Sequence, residues 1–131
     1  MSDTHCPFCL IASGDSGTEL IAESSNSVAF FDSYPISEGH TLLIPKKHEV
    51  NFFNLSEDER ADIWGLVNTV QKILNDMLNP DGFNIGVNVL EAAGQTIMHA
   101  HVHIIPRFSG DIKDPRGGVR WVIPEKAPYW E

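Results

Sequence analysis

Helical spacing is sustained over only one stretch of this chain, and that stretch limits what the rest can build. From Ile63 onward, Leu66, Val67, Val70, Ile73, Leu74, Met77 and Leu78 recur at intervals of three and four, so they form one apolar stripe on a helix. Ser56 lies three residues before Glu59, the spacing of a capping box, and Asn79-Pro80-Asp81-Gly82 stops the run. One long amphipathic helix is therefore expected from about Glu57 to Leu78. On either side the chain reads as short β segments: Glu19 to Ala22, Val28 to Phe31, His40 to Ile44 closed by Pro45, and Phe83 to Val89. The chain thus reads as a β meander interrupted by one long helix. With 131 residues, 42% of them hydrophobic, the chain suffices for one domain with a core that needs no disulfide staples.

The last strand expected carries the chemistry. In His99-Ala100-His101-Val102-His103-Ile104-Ile105, closed by Pro106, alternation puts three imidazoles on one face and Ala100, Val102 and Ile104 on the other, toward a core. Alternate positions on a strand lie about 6 to 7 Å apart and point in parallel, so three such rings converge poorly on one metal ion. A nucleophilic His101 flanked by two imidazoles fits better, because histidine titrates near neutral pH and offers nucleophile, acid and base together. Phosphorus is the matching electrophile. A phosphorylated imidazole is labile enough to hydrolyse, which splits one hard displacement into two easier ones. The strand should pair with Phe83 to Val89 as an antiparallel hairpin across the polar loop Glu91 to Thr96.

Charge and cysteines narrow the partners. Eighteen acidic against nine basic residues give a formal charge of -9, which argues against a nucleic-acid polymer or an anionic membrane as partner. A small anionic ligand held by amides and histidines stays compatible. No apolar run has the length of a membrane span and no secretory leader is recognisable, so a cytoplasmic location is expected. The two cysteines, Cys6 and Cys9, form a Cys-Pro-Phe-Cys pair. In a reducing compartment such a pair is a zinc half-site, a reduced thiol pair or a redox motif. The redox reading suits the position poorly, because a βαβ redox motif follows a first strand. His5 is expected to be solvated, His40 to be a packing residue, and Lys46 and Lys47 to lie in a solvated loop. Residues 109–118 read as loop, while Trp121, Val122, Ile123, Tyr129 and Trp130 carry an apolar load that must bury against this domain or a second subunit.

His99-Ala-His101-Val-His103-Ile-Ile resembles the signature of the histidine triad (HIT) nucleotide hydrolases and transferases. Asp32, the segment Ser37-Glu-Gly-His-Thr-Leu-Leu-Ile-Pro-Lys-Lys-His48, Asn88 and Gly94-Gln95-Thr96 follow the family's order and spacing over roughly residues 6–108. The resemblance implies a HIT-like α+β fold in one domain, with residues 1–15 as a zinc-binding segment and 109–131 as a tail, its sheets joined in a homodimer around a bound small-molecule nucleotide. It implies His101 as nucleophile with His103 and His99 as flanking partners, Asp32 as acceptor of the ribose hydroxyls, and Asn88, Gly94, Gln95 and Thr96 at the phosphates. Phe30 and Phe31 fit a base-stacking wall or the core equally well. Relatives with an N-terminal CxxC imply a structural zinc held by Cys6, Cys9, His48 and His99, in which case His99 serves structure and not proton transfer.

Within that family two substrates compete. Glu91 to Thr96 and Arg107 resemble the fragile-histidine-triad branch, which cleaves dinucleoside polyphosphates, and this is the favoured expectation by a narrow margin. Ile-Pro-Lys-Lys-His48 and Asp32 resemble the Hint branch, which cleaves nucleoside phosphoramidates, although Gly117-Gly-Val-Arg-Trp-Val-Ile-Pro replaces that branch's Trp-Pro-Pro-Gly ending. A nucleotide-binding regulatory protein with incidental turnover is the reading from another class.

Overall fold

Thr41–Pro45 is buried at every position, and that strand sits at the middle of the sheet around which the molecule is organised. The computed structural model describes residues 5–130; residues 1–4 and 131, at the outer ends of the expected zinc segment and tail, lie outside the described part. In chain order the elements are α1 (Pro7–Ser13), β1 (Ala22–Glu23), β2 (Ser27–Phe31), β3 (Thr41–Pro45), α2 (Glu57–Leu78), β4 (Gly82–Val87) and β5 (Val102–Arg107). The strands form one antiparallel sheet in the order β1-β2-β3-β5-β4. No helix among the described residues is long and apolar enough to cross a membrane.

The expected helix forms over Glu57–Leu78. Ser56 Oγ accepts from Glu59 N–H and the Glu59 carboxylate accepts from Ser56 N–H, closing the capping box, while Asn79 in the left-handed region ends the helix. Its stripe of Ile63, Leu66, Val67, Val70 and Leu74 packs on Ala29, Leu43, Ala100, Val102 and Ile104, one face of the sheet. Burying each large aliphatic side chain here contributes about 1.5–3 kcal/mol.

The opposite face is split. Over β2 and β3, Val28, Phe30, Leu42 and Ile44 pack against Cys6, Phe8 and Cys9 at the start of α1. Over β5 and β4 that face is open and becomes a cavity wall. Here His103 pairs with Leu42 on β3 and with Gly86 on β4, so those three share a face.

Three departures from the sequence reading have local causes. Helix α1 was not expected, yet Cys6 caps it by accepting from Cys9 N–H, Pro7 opens it and Gly14 closes it at φ 87°. This is the proline-first, glycine-last pattern of a short helix. Strand β5 begins only at Val102: His99 and His101 precede it, because Ala100 N–H donates to Glu49 O instead of a neighbouring strand. The terminal aromatics were expected to bury against this domain or a second subunit, and they do not bury on this domain. Instead the tail winds into 3₁₀ turns at Gly118–Val122 and Pro124–Lys126, with Arg116 over Trp130 and Arg120 over Tyr129 at 4.6 Å. In the single chain Ala127 is buried, but Trp121, Val122, Ile123 and Tyr129 stay exposed.

Candidate active site and metal centre

Two clusters of titratable groups lie on the sheet face away from α2. In the first, Cys6 and Cys9 are brought together by the first turn of α1, His48 by the bend after β3, and His99 by the segment ahead of β5. Cys9 Sγ lies 3.2 Å from His48 Nδ1 and 3.5 Å from His99 Nδ1, and Cys6 Sγ lies 3.4 Å from His99 Nδ1. His99 Nε2–H donates to Pro45 O at 2.8 Å, so the Nδ1 lone pair is the one that faces the sulfurs. That outer hydrogen bond is the one a metal-ligating histidine needs.

The donor set fits zinc. A tetrahedral ion with Zn–S of about 2.3 Å and Zn–N of about 2.0 Å separates sulfur from nitrogen by about 3.5 Å. All four donor atoms lie within 4.8 Å of one another. Both cysteines are reduced and buried, and burial pushes the Cys6 thiol up, so without a metal it stays protonated. A bound zinc would hold both as thiolates and tie α1 to the sheet.

The second cluster is a chain of hydrogen bonds with readable directions. His101 Nδ1–H donates to its neighbour's carbonyl, His99 O, at 2.9 Å, which leaves Nε2 as a free electron pair. Ile36 N–H donates to His40 Nδ1 at 3.3 Å, so His40 carries its proton on Nε2 and donates it to His103 Nδ1 at 2.9 Å. His103 therefore keeps its own proton on Nε2. The rings of His101 and His103 stand 5.1 Å apart. A ring with a free electron pair and a ring with an N–H donor are thus neighbours.

Asp32 closes this chain. Its Oδ2 lies 3.5 Å from His40 Nε2, and its Oδ1 accepts from Tyr34 N–H at 3.0 Å. Asp32, His40 and His103 also lie close enough to share an ion. The tautomer opposes it, because a ligating His40 would have to give up the Nε2 proton while its Nδ1 already accepts from Ile36. The cluster is a connected line of hydrogen-bonding groups that includes two imidazoles and a carboxylate. Burial above all, then the neighbouring His101 and His40, pushes His103 down to about 4, against the opposing pull of Asp32. Burial also lowers His40.

His40, expected as a packing residue, is buried and also hydrogen-bonds His103 from the neighbouring strand. The parity of β3 was the available signal: Leu42 faces His103, and His40, two residues earlier, shares that face.

A cavity of ≈ 1140 Å³ opens beside His103. Asp32, His40, Asn88 and Arg107 line it, and Val119 and Trp121 of the tail wall it from above. Buried His101 is not among the lining residues and adjoins the cavity through His103. Gly86, opposite His103, leaves that ring's flank uncovered. Arg107 is engaged already, by Asp111 through two bonds of 2.7 and 2.8 Å and by Asn84 Oδ1 at 2.7 Å.

The loop expected at the phosphates, Gly94, Gln95 and Thr96, is, like His101, outside the residues that line this cavity. Gln95 is buried and spends its amide on backbone, accepting from Leu90 N–H and donating to Val50 O and Ile97 O. Gly94 ends a 3₁₀ turn at φ 94°, a conformation that favours glycine with no ligand needed. Phe30 is buried beside Phe8, whereas Phe31 is exposed.

The sheet with its single covering helix and the imidazoles on the face away from it define an α+β protein with a histidine row beside a cysteine–histidine cluster that could hold a metal. Residues 13–110 match the model of the HIT domain, and the chain belongs to that family. It is 40% identical over 102 residues to the adenosine 5'-monophosphoramidase hnt1 of Schizosaccharomyces pombe, covering 78% of this chain and 74% of that protein. It is also 40% identical over 107 residues to an uncharacterized HIT-like protein of Methanocaldococcus jannaschii, covering 81% of each. Among solved structures, a Zn-bound histidine triad family protein from Mycobacterium smegmatis superimposes with a TM-score of 0.75 at 36% identity, covering 84% of this chain and 83% of that one.

Proposed function

We propose that this chain hydrolyses nucleoside phosphoramidates through a covalent nucleotidyl-His101 intermediate. The pair of fixed tautomers carries the reading: His101 offers Nε2 as an electron pair, and His103 beside it offers a proton on Nε2. An anionic α-phosphate at this pair favours proton uptake by the imidazoles His40 and His103, with Asp32 balancing the charge. His101 Nε2 then attacks phosphorus, the P–N bond to the leaving amine breaks, and His103 Nε2 gives the amine its proton. Water attacks next. It passes a proton back to His103 Nε2 while the bond between phosphorus and His101 breaks, releasing a nucleoside monophosphate and restoring the electron pair. Asp32 is suited to accept from the ribose hydroxyls and Asn88 to donate at the cavity rim. Cys6, Cys9, His48 and His99 would hold zinc as a cross-link between α1 and the sheet, outside the transfer itself.

The narrow preference of the sequence for dinucleoside polyphosphates rested partly on Arg107. That guanidinium is already matched by Asp111, and the cavity presents Asp32 and Glu38 as further acids. A polyphosphate leaving group would bring several negative charges to these walls. An amine brings none, and the S. pombe relative named as a monophosphoramidase supports the P–N reading.

Specificity constants for adenosine 5'-phosphoramidate and for diadenosine polyphosphates decide between the two substrates. A preference of at least about tenfold for the phosphoramidate is expected, equivalent to ~1.4 kcal/mol in transition-state binding. Mass spectrometry of quenched protein should find the nucleotidyl adduct on His101. A tenfold preference in the other direction would restore the polyphosphate reading. Tight binding of a nucleoside monophosphate without turnover of either class would make the chain a binding protein.

A further inference from the structure

The candidate metal cluster and the nucleophile are joined by more than sequence proximity. One link is His99, whose ring faces the sulfurs while its carbonyl holds the His101 Nδ1 proton. The other is Phe8. It is enclosed between Cys6 and Cys9, is 4% exposed, and its ring meets three others edge to face. The centroids lie 5.2 Å from His101 at 80°, 5.9 Å from His99 at 75° and 5.6 Å from Phe30 at 66°. Such contacts are directional, since a ring's positive edge seeks its neighbour's negative face. Phe30 on β2 supplies a fixed backstop, so the movable side of this packing is the Cys-Pro-Phe-Cys turn.

We infer that Phe8 is a positioning residue for His101 and transmits the occupancy of the Cys6, Cys9, His48 and His99 cluster to the orientation of the nucleophile. The inference rests on the reading of His101 as nucleophile given above. Ligation of the cysteines on both sides of Phe8 fixes the backbone that carries its ring. Without a metal, the turn that opens α1 meets His48 and His99 through thiol–imidazole contacts and the Phe8 ring edge, with no ligand bond to fix it, and can shift. A small displacement matters here, because a misplacement of about 1 Å in an attack geometry can cost on the order of a hundredfold in rate.

Phe8→Leu and Phe8→Met remove the ring and keep an apolar side chain of similar volume. Each variant and the wild type are compared zinc-loaded and chelator-stripped, by zinc content, by kcat and KM on adenosine 5'-phosphoramidate, and by the His101 ring resonances after histidine-selective isotope labelling. The loaded variants are expected to keep their zinc and to hold KM within about twofold. Their kcat should fall about fivefold, within the range an aromatic edge contact supplies, and their His101 resonances should move. Stripping zinc from the wild type should move the same resonances and lower kcat, and stripping the variants should add little. Unmoved His101 resonances and unchanged kcat in the loaded variants would overturn the inference. So would a rise in KM alone, which would place Phe8 against the nucleotide, or loss of zinc from both variants. If neither variant folds, wild-type His101 resonances that ignore zinc removal overturn it by themselves. Should the wild type prove inactive on the phosphoramidate, the functional reading fails while the resonances still test the positioning.

Discussion

His103 is surrounded by groups that resist its positive charge, and its behaviour with pH follows from that. Its folded pKa of about 4 lies below the ordinary 6.5, so between those values the unfolded chain binds the proton first. Its contribution to stability is thus fully present above about pH 6.5 and is lost as pH falls toward 4. An anionic phosphate beside it reverses the trend by favouring the charged ring. Binding of a nucleoside monophosphate near pH 5.5 should therefore take up protons, seen in calorimetry as a heat that varies with the buffer's ionisation enthalpy; a heat independent of buffer would refute this. His40→Gln should lower kcat about tenfold with little change in KM, because His40 acts on His103 and not on the substrate, so it costs less than loss of a general acid itself. The triad was legible because alternation is local. The hydrogen bond of His40 to His103 was not legible because it depends on which strand lies beside it, and the backbone partners of Gln95 were not legible because nothing local shows where a loop amide finds them.

The elements read most reliably were those whose signals lie within a few residues of one another. Helix α2 agrees with its expected limits because the stripe, the capping box and the Asn-Pro-Asp-Gly stop all coincide. Removing one of these signals tests its weight: Ser56→Ala should destabilise the protein by about 1 kcal/mol in urea unfolding. The register of β5 was harder to read, since His99 and His101 have the alternation of a strand but their backbone bonds go elsewhere. Helix α1 carried a local signal that the cysteine pair overshadowed. With a metal bound at that pair, α1 would be the element most dependent on it. Cys9→Ser should lower zinc content below one per chain and reduce the melting temperature, with both effects copied in the wild type by a chelator. A melting temperature indifferent to zinc would remove the structural role.

At the scale of the molecule, the open edge of the sheet and the tail point outward together. Among the described residues strand β4 has a partner on one side only, Ile85 on it is exposed, and the 3₁₀ turn that packs against β4 carries exposed Trp121 and Val122, with Ile123 and Tyr129 exposed beyond it. Patches of this kind mark sites of association. Light scattering is expected to give twice the monomer mass, and deletion from Trp121 onward should weaken the assembly. A monomer at micromolar concentration that truncation leaves unchanged would contradict both. The position of the His101 proton, by contrast, is set by a carbonyl of the main chain. No replacement of the side chain at 99 deletes that acceptor. Exchange of His99 would dismantle the metal cluster and still leave the nucleophile in the same tautomer, so the two properties can be lost separately as sequences drift: the metal through one substitution, the reactive nitrogen only by redirecting the path of the chain itself.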